Sequence, residues 1–277
     1  MKSLIVTADD FGAALEVNEA VEQGQRDGIL TAASLMVAAP AAADAVARAK
    51  AMPRLRVGLH LVLVDGKPTL PASAVPDLVG PDGMFRNDMA GAAIRMFLLP
   101  HVRRQLEAEI EAQFDAFRAT GLTLDHVNTH KHFHLHPTIA SSIARVGRRY
   151  GLRAVRVPLE PREVLLRIEP GTKLASDFVT APWAMLSRAR FRAVGLRVPD
   201  SVFGLAWSGA MTASRLLGLI ENLPEGLSEI YLHPATGPYE GSAPGYRYAE
   251  ELAALVAPRV VEASRNSSIA RGGFADF

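Results

Sequence analysis

The chain has 277 residues, 49% of them apolar, enough to bury a sizeable core. Thirty lysines and arginines against 29 aspartates and glutamates leave a net charge of +1, which gives no reason to expect nucleic acid as a partner. The lack of cysteine excludes disulfides, thiolate metal sites and a cysteine nucleophile.

Leu4 to Ala8 is a short apolar, β-branched run suited to a buried strand, and it leads into Asp9-Asp10-Phe11-Gly12, where Gly12 permits a sharp turn. Residues 13–26 carry a helical pattern, with Leu15, Val17, Ala20 and Val21 set among Glu16, Glu19 and Glu22. Thr31 to Val37 predicts a strand, Pro40 to Ala51 a helix, and Arg56 to Val64 a third strand that contains His60. Asp65 to Asn87, rich in Gly and Pro, predicts a long loop of the kind used as a lid or binding loop. Arg103 to Thr120 is the clearest helix: Leu106, Ile110, Phe114 and Phe117 recur at helical spacing, with Glu107, Glu109, Glu111 and Asp115 expected on its surface. Leu124 to His130 predicts a fourth strand, Pro137 to Tyr150 a helix, and Ala154 to Val157 a fifth strand. Leu159 to Asp200 has no legible pattern apart from the arginine-rich, acid-free stretch Trp183 to Val198. Ser201 to Trp207, Ser228 to Leu232 and Ile269 to Phe274 predict further strands, with helices over Ser214 to Asn222 and Tyr248 to Val256.

Strands alternate with helices throughout, with no repeat and no linker. This predicts one α/β domain over residues 1–277, a TIM-like (β/α) barrel, incomplete, with its chemistry at the C-terminal ends of the strands. The start, Met1 to Val6, is too short an apolar run for a signal peptide, and no run approaches the roughly 18 residues of a membrane span. A soluble, cytoplasmic protein is expected.

The reactive residues gather where such a barrel places its site. Asp9 and Asp10 end the first strand, His60 sits late in the third, Asn128 and His130 end the fourth, Arg156 ends the fifth and His233 ends a late one. Seven of the eight histidines, all but His101, are placed at strand ends by this reading, His126 among them. Each residue alone has a plainer explanation: Asp9-Asp10 as a helix cap, His60 as a core histidine, Arg156 as a surface group, His233 as part of a loop. The functional reading rests on the set. In the run 125–137, His130, His132, His134 and His136 alternate, so an extended backbone would line one wall with four imidazoles and turn Phe133 and Leu135 into the core. Pro137 favours that extended reading. A helix would instead bring His130 and His134 together. One carboxylate and two imidazoles on a Zn²⁺-like ion leave positions open for water and substrate. A second carboxylate beside them suits a general base, and a histidine opposite suits a general acid. No Gly-x-Ser-x-Gly elbow or phosphate-binding glycine loop is present, which disfavours serine-hydrolase and kinase chemistry.

Thr7-Ala8-Asp9-Asp10-Phe11-Gly12, Gly58-Leu59-His60, Asn128-Thr129-His130-Lys131-His132-Phe133-His134 and Leu232-His233-Pro234 together resemble the YdjC/ChbG-type carbohydrate deacetylases, in order across nearly the whole chain. The resemblance implies a distorted barrel related to polysaccharide deacetylases, one divalent metal ion (zinc or magnesium) and removal of acetyl groups from N-acetylated sugars. It implies Asp10, His60 and His130 as metal ligands, Asp9 as general base and His233 as general acid, with Arg156 orienting the base. Asn128, His132, His134 and His136 would then orient ligands or wall the sugar pocket. His130 and His134 also have His-x-x-x-His spacing, so a helical run would put His134 on the ion in place of His60. Leu30 to Val37, His130 to Pro137 and Leu152 to Pro158 are most similar to the hopanoid-biosynthesis-associated HpnK branch, in which Lys131 replaces a frequent His. That branch implies an N-acetylglucosaminyl hopanoid as substrate.

A lipid substrate gives the basic, apolar stretch Trp183 to Val198 a use in peripheral contact with an anionic membrane at the inner face of the cell; an ordinary helix with a solvated basic face is the competing reading. Two other functions fit the constellation: a deacetylase of soluble chito-oligosaccharides or another small amide or ester, and a non-catalytic sugar or lipid binder. The sequence leaves the oligomeric state open.

Overall fold

The computed structural model describes residues 1–173, 177–266 and 268–277. In chain order it contains β1 (Lys2–Phe11), α1 (Leu15–Arg26), β2 (Ala32–Leu35), α2 (Ala42–Ala51), β3 (Arg56–Leu61), α3 (Met89–Leu98), α4 (Pro100–Ala119), β4 (Leu124–Thr129), α5 (Pro137–Arg149), α6 (Arg162–Ile168), α7 (Asp177–Ala193), β5 (Ser201–Phe203), α8 (Ala213–Glu221), β6 (Gly226–Leu232), α9 (Tyr248–Val256), α10 (Pro258–Ser264) and β7 (Ile269–Arg271).

The strands form one parallel sheet in the order β4-β3-β2-β1-β6-β5, with β7 beside the start of β1. Helices cover its outer face, so β1 is buried from Leu4 onward and reads as an unbroken apolar run until its two aspartates. The segment after α5 closes the gap between the edge strands without making a ladder. Val127 N–H donates to Ala154 O (3.0 Å), Arg156 N–H to Val127 O (3.0 Å), Val155 N–H to Arg197 O (3.0 Å) and Val202 N–H to Leu159 O (2.8 Å). Pro158 has no N–H to extend this pairing. The strand expected at Ala154 to Val157 is therefore two isolated bridges, and the barrel is distorted at this seam.

Several elements depart from the sequence pattern. α3 lies in a stretch to which the pattern assigned nothing; Asp88 caps it, accepting from Gly91 N–H at 3.0 Å, and Ala92 and Met96 bury its inner face. α6 and α7 occupy the illegible region after Leu159, and α10 follows Pro258 at its first turn. Glu109, expected on the surface of α4, is fully buried. Its carboxylate accepts from Thr69 N–H (2.8 Å) and Leu70 N–H (3.0 Å), while Gln113 accepts from Val62 N–H (3.0 Å) and donates to Val62 O (2.7 Å). These bonds tie the long loop after β3 to α4.

His126 is also corrected. It does not reach the C-terminal rim but sits inside the barrel's lower part, fully buried. Ser34 Oγ lies 2.9 Å from its Nε2, Asp125 Oδ2 lies 2.9 Å from its Nδ1, and the ring stacks on Phe274 at 4.2 Å. Gly58 on β3 makes room for it, because a Cβ there would lie 2.5 Å from the imidazole. Gly58→Ala is therefore expected to destabilise the protein by about 1–3 kcal/mol through overpacking. Urea unfolding measures this, and an unchanged midpoint would show that His126 can move aside freely.

Candidate metal centre and active site

In a regular strand Asp9 and Asp10 would point to opposite faces. Asp10 instead adopts φ +61°, and the pairing of β1 with β2 shifts register between Ala8 and Phe11. Aspartate tolerates this left-handed conformation better than most residues. The kink breaks the alternation, and Asp9 and Asp10 both serve the C-terminal mouth of the barrel. His60 on β3 and Asn128 and His130 at the end of β4 come to the same place because β3 and β4 pair there, His60 opposite Asn128.

Asp10, His60 and His130 each offer one ligand atom, and these atoms lie within 4.8 Å of one another. Asp10 Oδ1 is 3.2 Å from His60 Nε2 and 3.4 Å from His130 Nδ1. Asn128 settles the tautomer of His60. Its amide nitrogen donates to Asp9 Oδ1 at 3.0 Å, so its oxygen faces His60 Nδ1 at 2.8 Å and must accept from it. In the neutral ring Nε2 is then a bare lone pair aimed at a carboxylate oxygen. Asp10 Oδ1 and His60 Nε2 are both buried without a hydrogen-bond partner. Such a cluster of converging acceptors fits a divalent cation. Two imidazoles and one carboxylate suit a zinc-class ion better than magnesium, which prefers oxygen. Burial acts to raise the Asp10 pKa, but the close imidazoles of His130 and His60, when they carry a proton, outweigh it and hold the carboxyl well below the usual carboxylate range.

Behind this cluster lies a buried ion network. Arg156 donates Nη1–H to Asp9 Oδ2 (2.5 Å) and Nη2–H to Asp9 Oδ1 (2.9 Å). On its other edge, Nε–H and Nη2–H reach Glu229 Oε1 at 2.9 and 2.7 Å. Tyr231 covers the guanidinium face at 4.5 Å. Burial would raise the Asp9 pKa, but Arg156, then His60 and His233, outweigh it and keep Asp9 ionised far below the usual range. His233 follows β6, its ring between those of Tyr231 (5.8 Å) and Tyr246 (5.2 Å), and its backbone N–H donates to Glu251 Oε2 at 2.6 Å.

The histidine-rich run is not an extended wall. Residues 130–135 form a tight turn in which Lys131 (φ 53°) and His132 (φ 52°) are left-handed. His132 Nε2 reaches Tyr231 OH at 2.9 Å; burial, then the charges of Arg156 and His134, lower its pKa strongly. His134 is fully buried with Nδ1 2.7 Å from Thr129 Oγ1, and burial brings its pKa down to about 3. The structure thus sets His60, not His134, beside Asp10 and His130. His136 stands at the rim of a different, apolar pocket. Two buried carboxylates escaped the sequence reading, Glu229 and Glu251. The available signal for Glu229 was a charge inside the apolar strand Ser228 to Leu232, which burial requires to be paired.

A cleft of about 640 Å³ opens beside Asp10 and His130, lined further by Met36, Lys67, Phe85 and Tyr239. A metal ion and a proton would compete for His60 Nε2. Burial disfavours the charged ring, but Asp10 and Asp9 outweigh it and raise the His60 pKa in the metal-free chain. A raised pKa contributes stability below the unfolded value of about 6.5, and that contribution is lost as pH rises through the folded value. The metal-free protein is therefore expected to lose stability on that rise and to regain it when Zn²⁺ is added. Thermal melts with chelator and with metal from pH 6 to 9 read this out; identical curves would refute the shared lone pair.

Residues 3–266 match the YdjC-like protein family. A carbohydrate deacetylase of Geobacillus stearothermophilus is 30% identical over 93% of this chain and 90% of its own length. One from Brevibacillus brevis is 38% identical over a stretch covering 56% of this chain and 58% of that protein. In fold, the chain is similar to a crystal structure from Enterococcus faecalis V583 named for cellobiose-phosphate cleavage, with a TM-score of 0.77, 22% identity and coverage of 99% and 98%. The chain belongs to the YdjC-like protein family.

Proposed function

We propose that the protein is a metal-dependent carbohydrate N-deacetylase that hydrolyses the acetamide of an N-acetylated sugar. The observation that carries this reading is the convergence of Asp10, His60 and His130 next to the Asp9–Arg156 pair, to which Asn128 links His60. The names of its relatives support it. A divalent ion held by those three residues would polarise the amide carbonyl and acidify a water. Asp9 acts as general base. Its Oδ1 already accepts from Asn128 and Arg156, so Oδ2, which accepts only from Arg156, is the oxygen that takes the water's proton. Arg156 holds the carboxylate in place and keeps it ionised. The deprotonated water's oxygen adds to the carbonyl carbon, His233 gives a proton to the departing amine nitrogen, the C–N bond breaks, and acetate and the free amino sugar leave.

The substrate we propose is an N-acetylglucosaminyl lipid of the hopanoid class. A pocket of about 530 Å³ with almost no polar lining lies at Leu135-His136-Pro137, immediately after the metal-ligand turn. Ile94, Phe97 and Leu98 of α3 and Trp183 of α7 complete it, all strongly exposed. Met185 and Leu186 extend the apolar surface along α7, with Arg190 on the same helix. Exposed side chains of this kind favour a lipid aglycone and peripheral contact with an anionic bilayer at the inner face of the membrane. No helix among the described residues is long and apolar enough to cross a membrane.

Acetate release tested on the lipid glycoside, on soluble N-acetylated chito-oligosaccharides and on simple amides separates the alternatives; release from none would favour a non-catalytic binder. Asp9→Asn should keep its metal and lose turnover by about 10²–10⁴-fold, whereas His130→Ala should lose both. Full activity in Asp9→Asn would overturn the base assignment. Phe97→Ser should raise KM for the lipid glycoside by about 5- to 150-fold, the equivalent of the roughly 1–3 kcal/mol of a lost apolar contact, and leave the soluble sugar unaffected. Equal effects on both substrates would remove the lipid reading while leaving the deacetylase intact.

A further inference from the structure

We infer that Glu229 is a positioning residue of the active site, acting on the base Asp9 through Arg156. The inference rests on the reading of Asp9 as base. Glu229 lies on β6, opposite Ile5 of β1, and is fully buried. Three donors converge on its Oε1: Arg156 Nε–H (2.9 Å), Arg156 Nη2–H (2.7 Å) and Thr7 Oγ1–H (2.8 Å). Oε2 has no hydrogen-bond partner.

This is a costly arrangement for a merely structural ion pair. Arg156 is already neutralised by its two bonds to Asp9. A second carboxylate leaves the buried trio with a net negative charge, close to the further negative charge of Asp10. Desolvating each ion is unfavourable, and an unsatisfied Oε2 adds to that. The return is geometric. Two carboxylates grip adjacent edges of one planar guanidinium, and Tyr231 lies across its face, so neither rotation in the plane nor tilt out of it is free. A guanidinium held by Asp9 alone would turn about its flexible stem and carry Asp9 Oδ2 with it. Thr7 and Asp9 are two residues apart on β1, and Glu229 and Tyr231 two apart on β6, so the period of the strand brings all four to the same inner face.

The test uses the full-length, metal-loaded protein with Glu229→Gln, Glu229→Ala and Asp9→Asn, assayed for acetate release from N-acetylated chito-oligosaccharide, with KM, kcat and bound metal measured for each. Misplacing the base by about 1 Å is expected to lower kcat by on the order of 10²-fold in Glu229→Ala. Glu229→Gln, which keeps an acceptor oxygen, should recover part of that loss, and both should retain wild-type KM and metal content. If Glu229→Ala does not fold, Glu229→Gln alone carries the comparison. In the resting protein, the Arg156 Nε–H proton should exchange slowly with solvent by NMR in the wild type and faster in Glu229→Gln. Wild-type kcat in Glu229→Gln with an inactive Asp9→Asn would overturn the role of Glu229 alone. A loss in Glu229→Gln confined to metal content or KM would overturn it too. Full turnover in Asp9→Asn would overturn the base assignment and this role with it.

Discussion

The structure depends on one buried cation. Arg156 comes from a segment that is barely a strand, yet its guanidinium lies at the middle of the barrel with a carboxylate on each of two edges. Through Asp9 it reaches Asn128, which bonds the same carboxylate; through Asn128 it reaches His60, whose Nδ1–H is fixed by the Asn128 oxygen. The direction of the His60 lone pair, and hence the cradle it shares with Asp10 and His130, is set three hydrogen-bonded steps from Arg156. Removing one member of a buried ion set leaves an uncompensated charge, at a cost of about 3–5 kcal/mol. The network therefore couples the seam of the barrel to the chemistry at its mouth: the backbone bonds of residues 153–159 that close the sheet also deliver the cation that orders the site.

Backbone strain is placed where the site needs side chains that regular strands cannot supply. Asp10, Lys131 and His132 are left-handed without being glycine. At Asp10 this lets two adjacent carboxylates take different tasks at one mouth, Asp9 against the guanidinium and Asp10 against the imidazoles. At Lys131 and His132 it turns the chain sharply after β4, so His130 stays at the rim while His134 folds back to Thr129. Lys131, carried outward by the same turn, pairs with Asp65 across the neighbouring loop at 2.5 Å. Asp65 is itself left-handed.

Much of this was legible in the sequence because strand period and burial are local signals. The strands around Leu4 to Ala8, Arg56 to Val64 and Ser228 to Leu232 stand out as apolar runs, with Asp9, Asp10, His60 and His233 at or near their ends. What was not legible depends on contacts between distant residues. Nothing in Lys131-His132 announces two left-handed residues, since neither is Gly or Asn, and Pro137 by itself favours an extended wall. Glu109 looks like a solvated face of α4 until the loop amides of Thr69 and Leu70 are brought to it. The seam at Ala154 to Val157 reads as a strand because its composition is that of one; the missing donor at Pro158 and the three-residue length of β5 leave it as bridges.

The histidine-rich run shows how environment, rather than residue type, assigns roles. Five imidazoles within eleven positions, 126 to 136, meet five different surroundings. His126 is held by a serine and an aspartate against Phe274 and serves the lower core. His130 faces a carboxylate at the rim. His132 and His134 are lowered in pKa by burial and by the positive charge of Arg156, which favours the neutral ring in both. A neutral imidazole can accept or donate one hydrogen bond without adding charge to the site, and that is the form burial favours next to the guanidinium. His136 has left the polar region and edges the apolar pocket against Phe97 at 6.2 Å. The one turn thus borders two different surfaces: at His130 the cleft beside the Asp10–His60–His130 cluster, lined by polar and apolar side chains alike, and six residues later a pocket with almost no polar lining. The glycolipid proposed above would place its sugar on the His130 side of that turn and its hydrocarbon on the His136 side.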